Sequence, residues 1–199
     1  MSEKKMDWDA RYLTGDTPWE KGAPAPALTY LVREGVFPVN GTILVPGCGT
    51  GHDVADLANA GFETHGLDVS QIAIDRAQKT NTVERASYLH GDLFDLELNR
   101  KSTYDAIWEH TCYCAIHPSR RSDYIDSVSR WLRPEGIFVG LFFTNTQMPT
   151  GEGPPYETSR EDVIEMFAPN FTLVTEQKPQ AYYPGREGRE WLMIWRRKA

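Results

Sequence analysis

The segment Leu44-Val45-Pro46-Gly47-Cys48-Gly49-Thr50-Gly51 constrains this chain more than any other. It ends a short apolar run, Thr42 to Pro46, and precedes a helical pattern, His52 to Ala60. That pattern puts Val54, Leu57 and Ala58 on one face and is stopped by Gly61. Glycines at alternate positions between a strand and a helix let the backbone turn sharply and come close to a ligand. Such a turn belongs to α/β architectures, in which helices join parallel strands.

The alternation continues downstream. Phe62 to Val69 reads as a second strand, and Gln71 to Lys79 as a helix with Ile72, Ala73 and Ala77 on one face. Ala86 to His90 and Tyr104 to Trp108 are further strands. Pro118 opens a helix to Trp131 or Leu132, and Gly136 to Thr144 is a fifth strand. Thr158 and Glu161 fit a capping box for a helix ending at Phe167. Phe171 to Gln177 and Glu190 to Trp195 follow with no helix between them, which predicts an antiparallel pair. The expected fold is a mostly parallel α/β sheet with an antiparallel edge strand. Gly15 to Pro26 and Asn145 to Tyr156 are rich in turn formers. The second is too short to link domains and long for a turn, which suits a lid or binding loop.

A chain of 199 residues predicts one domain. Its 21 basic against 28 acidic residues give 21 − 28 = −7, which argues against nucleic acid or an anionic membrane as main partner. Three cysteines are an odd number, so no disulfide framework is expected. The first residues carry Lys4 and Lys5 with no apolar run behind them, unlike a secretory signal. The longest apolar run, Ile137 to Phe143, is interrupted by Gly140 and too short to span a bilayer. The expectation is a cytoplasmic protein in a reducing setting, a monomer or weak dimer.

Two acids follow the glycine turn. Asp68 stands 17 residues after Gly51, at the end of the second strand, and Asp92 ends the third. An acid at the first place can accept hydrogen bonds from both ribose hydroxyls of a nucleoside; one at the second lies where an adenine amine would sit. Two cofactors use this geometry. Dinucleotides favour G-x-G-x-x-G, because a helix N-terminus receives the pyrophosphate. Here the third glycine comes one residue early and His52 takes the place a dinucleotide site would want. S-adenosylmethionine has no phosphate, and G-x-G-x-G with the later acids suits it better. A nicotinamide-dependent oxidoreductase remains the alternative class.

Several segments resemble the thiopurine, thiol and halide methyltransferases. They are W-D-A-R-Y-L-T-G-D-T-P-W-E-K-G (Trp8 to Gly22), V-P-G-C-G-T-G-H-D-V (Val45 to Val54) and G-L-D-V-S (Gly66 to Ser70). Y-D-A-I-W-E-H-T-C-Y-C-A-I-H-P (Tyr104 to Pro118), L-R-P-E-G (Leu132 to Gly136) and G-P-P-Y (Gly153 to Tyr156) continue the likeness. The resemblance spans roughly Trp8 to Arg197. It implies a class I methyltransferase fold, a Rossmann-like seven-stranded sheet with an N-terminal cap: residues 1–40 as cap and 41–199 as core of one domain. S-adenosylmethionine is the implied cofactor and S-adenosylhomocysteine its product. Implied cofactor contacts are Trp8, Tyr12, Trp19, Gly47, Gly49, Asp68, Asp92, Leu93 and His110. In plant thiol and halide enzymes position 12 resembles a second cap tryptophan and position 110 a tyrosine; Cys112 and Tyr113 stand where those relatives carry phenylalanines. These departures bear on the acceptor rather than the cofactor.

Methyl transfer from a sulfonium is an in-line displacement. If the nucleophile is an anion, charge is lost in the transition state, and a dry apolar pocket helps. The resemblance implies such an acceptor, a small thiol or hydrosulfide, with a halide also fitting. The rival acceptors are a thiopurine-like heterocycle or a small oxygen or nitrogen nucleophile. Trp19, Tyr113, Tyr156 and Arg186 are the candidate acceptor contacts, with Arg189 beside Arg186. His110 is the candidate general base, or else only a cofactor contact. Trp131 and Trp195 are expected in the core. His110, Cys112, Cys114 and His117 lack a standard zinc spacing, so no metal is expected.

Overall fold

A computed structural model of the protein describes residues 6–95, 101–149 and 151–199. Seven strands form one sheet: β1 (Thr42–Pro46), β2 (Glu63–Asp68), β3 (Ala86–His90), β4 (Tyr104–His110), β5 (Leu132–Phe143), β6 (Phe171–Gln177) and β7 (Glu190–Arg197). Their order is β3-β2-β1-β4-β5-β7-β6. From β1 the chain steps outward to β2 and β3, then returns and builds the other half from β4. The order thus reverses between β1 and β4, where open α/β sheets leave a crevice beyond their carboxyl ends. The glycine turn follows β1 at that crevice.

β7 runs antiparallel to both neighbours. It sits one place in from the edge, with β6 outside it, rather than at the edge itself. Burial explains the order: Leu192, Met193 and Trp195 of β7 are covered, whereas Val174 of β6 is 53% exposed. The more apolar strand takes the interior place, and the strand rich in Thr, Glu and Gln takes the edge.

Helices cover both faces. α2 (Pro26–Arg33) and α3 (His52–Asn59) lie on one, where Leu28, Leu31, Val54 and Leu57 pack with Ile43, Trp108 and Val139. α5 (Arg121–Trp131) and α6 (Arg160–Phe167) lie on the other, where Tyr124, Val128, Trp131, Val163 and Phe167 pack with Phe138, Phe142 and Trp195. Trp131 and Trp195 are core residues, as expected from the sequence. Removing a ring such as Phe138 or Phe167 would cost ~3–5 kcal/mol.

Three local expectations are corrected. The capping box of α6 is Ser159 with Asp162, one residue later than Thr158 with Glu161. Thr158 is instead buried, and Ser159 has the extended backbone that a cap requires. Pro118 opens a short 3₁₀ turn, and α5 proper begins at Arg121. The aromatic N-terminal segment, to which the sequence pattern assigns no regular element, contains α1 (Trp8–Thr14). Asp7 accepts a hydrogen bond from the Ala10 amide at its start, and Gly15 ends it at φ 75°.

α1 is tied to α4 (Gln71–Thr80). Asp9 Oδ1 accepts hydrogen bonds from Ser70 Oγ at 2.6 Å and the Ile72 amide at 3.2 Å. Arg76 donates to the Tyr12 carbonyl at 2.8 Å. These bonds place Trp8 and Tyr12 over the carboxyl end of the sheet.

Candidate active site

The glycine turn has almost no spare room. Gly47 and Gly49 adopt φ 59° and 53°, the left-handed region. A Cβ on Gly47 would lie 2.8 Å from Cys112 Sγ, and one on Gly49 would lie 2.6 Å from Glu20 Oε1. Gly49→Ala should therefore displace Glu20 and with it the cap, besides straining the backbone. The expected result is a loss of ~2–4 kcal/mol in urea unfolding, at the upper range for single substitutions.

Asp68 ends β2 beneath this turn and is 8% exposed. Its Oδ2 accepts the Gly49 amide at 2.9 Å and its Oδ1 the Ser70 amide at 2.8 Å. Burial pushes its carboxyl up, against the pull of these bonds. Each oxygen keeps a lone pair beyond its backbone bond. Asp92, after β3, accepts the Phe94 amide at 3.0 Å.

Both acids line one large cavity of about 1020 Å³ at the carboxyl end of the sheet. Trp8, Tyr12, Trp19, Gly47, Asp68, Asp92, Leu93, Tyr156 and Arg186 all border it. Its roof is the cap. Trp19 meets Trp8 edge-on at 5.5 Å and Tyr12 at 5.9 Å, and the Arg11 guanidinium lies 4.5 Å above its ring. Trp19 Nε1 donates to Tyr12 Oη at 3.1 Å, and Tyr12 Oη donates to Glu20 Oε1 at 3.4 Å. Thr50 Oγ1 donates to Glu20 Oε2. Glu20 thus joins the cap to the glycine turn, a role that no motif spacing announces.

Another part of the wall joins Phe143, Met148, Pro154 and Pro155 with Thr146 and two guanidiniums. Arg186 and Arg189 stack on Phe143, at 3.8 and 4.8 Å from its ring. Arg186 is paired with the buried Glu190 at 3.1 Å. Among the described residues, Arg189 donates to carbonyls, those of Asn145 and Thr146 at 2.9 Å and of Gly185 at 3.4 Å. Glu190, paired with Arg186, also feels the Arg189 charge, so two guanidiniums share this one buried carboxylate. Tyr156 is held at both ends of its peptide: its amide donates to the Cys114 carbonyl at 2.7 Å, and its own carbonyl accepts from Arg121 at 3.1 Å.

Tyr113, expected at the acceptor, does not line this cavity. It is 1% exposed, ringed by Tyr124, Phe142 and Phe167, with its hydroxyl 3.4 Å from Met166 Sδ. Glu109 puts it there. Its Oε1 accepts the amides of Cys112 and Tyr113 at 3.0 and 2.7 Å, and its Oε2 takes the Tyr124 hydroxyl. That turns the Tyr113 ring into the core and leaves Cys112 and Cys114 on the cavity wall. Burial pushes both thiols up, Cys114 to about 12, so they stay protonated and weakly nucleophilic. Tyr113→Phe should leave kcat and KM within about twofold and stability within ~1 kcal/mol, since the hydroxyl reaches only a thioether.

His110 and Gly49 border a second, smaller cavity of about 60 Å³ behind the turn, together with Trp19, Lys21, Asp53 and Tyr183. His110 Nδ1 lies 3.4 Å from Asp53 Oδ2, and Tyr183 stacks on its ring at 5.9 Å. Asp53 was legible only as an acid in a helix's first turn. Among the described residues, no group of three or more His, Cys, Asp or Glu could hold a metal ion.

A glycine cradle under the switch point, acids closing β2 and β3 and an aromatic cap define a class I methyltransferase site. The residues present fit S-adenosylmethionine: Asp68 retains acceptor capacity for a ribose, Leu93 offers an apolar face, and the backbone at Gly47 comes as close as its missing Cβ allows. The comparisons agree. The family described as thiopurine S-methyltransferase matches residues 3–194. The chain belongs to that family, and it is an S-adenosylmethionine-dependent methyltransferase; the dinucleotide alternative is thereby set aside. It is similar to a probable thiol methyltransferase 2 of Arabidopsis thaliana, 33% identical across 100% of this chain and 88% of that protein. It is also similar to thiocyanate methyltransferase 1 of the same plant, 32% identical across 96% of this chain and 84% of the relative. Among solved structures, the 1,6-didemethyltoxoflavin-N1-methyltransferase of Burkholderia thailandensis, with S-adenosylhomocysteine bound, shares the fold. It gives a TM-score of 0.70 at 20% identity, covering 100% of this chain and 94% of that one.

Proposed function

We propose that this methyltransferase acts on a small, soft, anionic nucleophile, a thiolate or hydrosulfide, with a halide also fitting. The observation that carries this reading is the pair of guanidiniums stacked on Phe143 at the cavity, two positive charges set against the one buried carboxylate of Glu190. Bound S-adenosylmethionine supplies an electrophilic methyl group on a sulfonium sulfur. The chain's residues then have three tasks. Asp68 holds the ribose hydroxyls, and Asp92 and Leu93 receive the adenine. Trp8, Tyr12 and Trp19 close the roof and present aromatic faces to a cation. Phe143, Tyr156 and the neutral thiols exclude water, while Arg186 and Arg189 draw the anion in.

In such a site the anion loses its hydration shell before the charges cancel, which favours transfer. A thiolate arrives deprotonated, so its proton goes to solvent and no strong base is required. The plant relatives named for thiols and thiocyanate support a soft anionic acceptor. The size of the cavity favours, as a second reading, a thiopurine-like ring beside Tyr156. The chain is proposed to work as one domain, with 1–40 as cap, in a reducing cytoplasm that suits its free thiols. Neither nucleic acid nor membrane is proposed as a partner; the net charge of −7 supports this, and no helix among the described residues is long and apolar enough to cross a membrane. A monomer or weak dimer is the proposed state.

The test is a panel of hydrosulfide, an aromatic thiol, iodide, a thiopurine, a phenol and an amine, scored by release of S-adenosylhomocysteine. Sulfur acceptors should turn over, with rates that track the thiolate fraction as pH rises. Turnover of the phenol or amine alone would overturn the proposal.

A further inference from the structure

We infer that Asp53 is a positioning residue: it fixes the His110 ring so that Nε2 grips the zwitterionic amino-acid end of the cofactor in the smaller cavity. This rests on the cofactor reading above and adds a residue and a division of labour to it.

His110 is nine-tenths buried, and among the described residues its Nε2 has no hydrogen-bond partner. An unsatisfied buried ring nitrogen is costly, so its partner is to be sought in what fills the adjoining space. That space has a volume of about 60 Å³, room for about two waters at the ~30 Å³ each takes in the liquid. It is too small for an adenine, yet shares Trp19, Gly47 and Thr111 with the large cavity. A ligand seated in the large cavity can thus send one short polar end into the small one. The adenosyl cofactor has such an end, an ammonium and a carboxylate on one carbon. A zwitterion can meet Nε2 in either protonation state, accepting from Nε2–H or donating to a bare Nε2.

The ring is held from the other side. Asp53 Oδ2 lies 3.4 Å from Nδ1, and its negative charge favours the tautomer with the proton on Nδ1. Asp53 is itself held by Trp108 Nε1 and the Ala25 amide, both at 2.7 Å. Burial works to raise its carboxyl, but these bonds and His110 keep it below the usual range. Asp53 therefore stays ionised and gives the imidazole one orientation. The arrangement parallels the use of a carboxylate to orient a catalytic or ligating histidine in other enzymes.

The experiment is calorimetry with two ligands, S-adenosylhomocysteine and 5′-methylthioadenosine, which lacks the amino-acid end. Asp53→Asn should weaken S-adenosylhomocysteine about tenfold and leave 5′-methylthioadenosine within twofold. In a His110→Phe background, which removes Nε2 and keeps a ring, Asp53→Asn should have no further effect on either ligand. Thermal unfolding of each variant separates lost folding from lost positioning. Equal weakening of both ligands, or full additivity of the two substitutions, would overturn the role of Asp53. Wild-type protein that binds neither ligand would instead contradict the cofactor site itself.

Discussion

Asp68→Ala should weaken S-adenosylhomocysteine binding at least 100-fold and lower the melting temperature of the free protein. The first effect follows from the ribose. Two charge-assisted hydrogen bonds are each worth ~1.5–3 kcal/mol, and every ~1.4 kcal/mol is tenfold in affinity. The second follows from bonds already made. Asp68 satisfies the Gly49 and Ser70 amides, and alanine leaves both unpaired below the cap. Each orphaned amide costs ~1–3 kcal/mol, and in a chain of this size each kcal/mol moves Tm by ~2–4 °C. Asp68→Asn retains one acceptor oxygen and should fall between wild type and alanine in both measurements. Unchanged affinity in the alanine variant would place the ribose elsewhere.

Arg189→Met should raise KM for a thiolate or hydrosulfide about 10- to 100-fold while leaving S-adenosylhomocysteine affinity unchanged. The range is the loss of a charge-assisted contact, ~1.5–3 kcal/mol. Arg186 is a weaker target, because Glu190 already balances it. Arg189 also tethers the carbonyls of Asn145 and Thr146, so charge and tether must be told apart. Arg189→Lys keeps the charge but not the fork. If the charge draws the anion in, lysine preserves most of the activity that methionine loses. Equal losses in both variants would show that Arg189 acts by holding residues 145–146.

Most of the sheet was legible in the sequence because its strands are short apolar runs set between turn formers, and period and punctuation agree there. The place of β7 was not. Strand order depends on which of two late strands is better buried, a comparison that Leu192, Met193 and Trp195 decide only once packed. α1 was hidden because its seven residues are too few to show a period, and its start depends on the single cap Asp7.

In the site, residues tied to backbone geometry were easiest to find. Gly47, Gly49, Asp68 and Asp92 occupy places that a strand–turn–helix unit fixes by itself. Side chains that depend on long-range contacts were missed or misplaced. Glu20 reaches Thr50 across 30 positions, and Asp53 reaches Trp108 across 55. Tyr113 read as an acceptor contact because an apolar, aromatic pocket was expected. The buried Glu109, fixing the amides of Cys112 and Tyr113, turns its ring inward instead.

The most direct test is a crystal structure with S-adenosylhomocysteine bound. Its ribose should meet Asp68, and its sulfur should open toward the wall formed by Phe143, Tyr156, Arg186 and Arg189. A sulfur facing away from that wall, or an empty cavity at saturating ligand, would contradict the assignment of this crevice to methyl transfer.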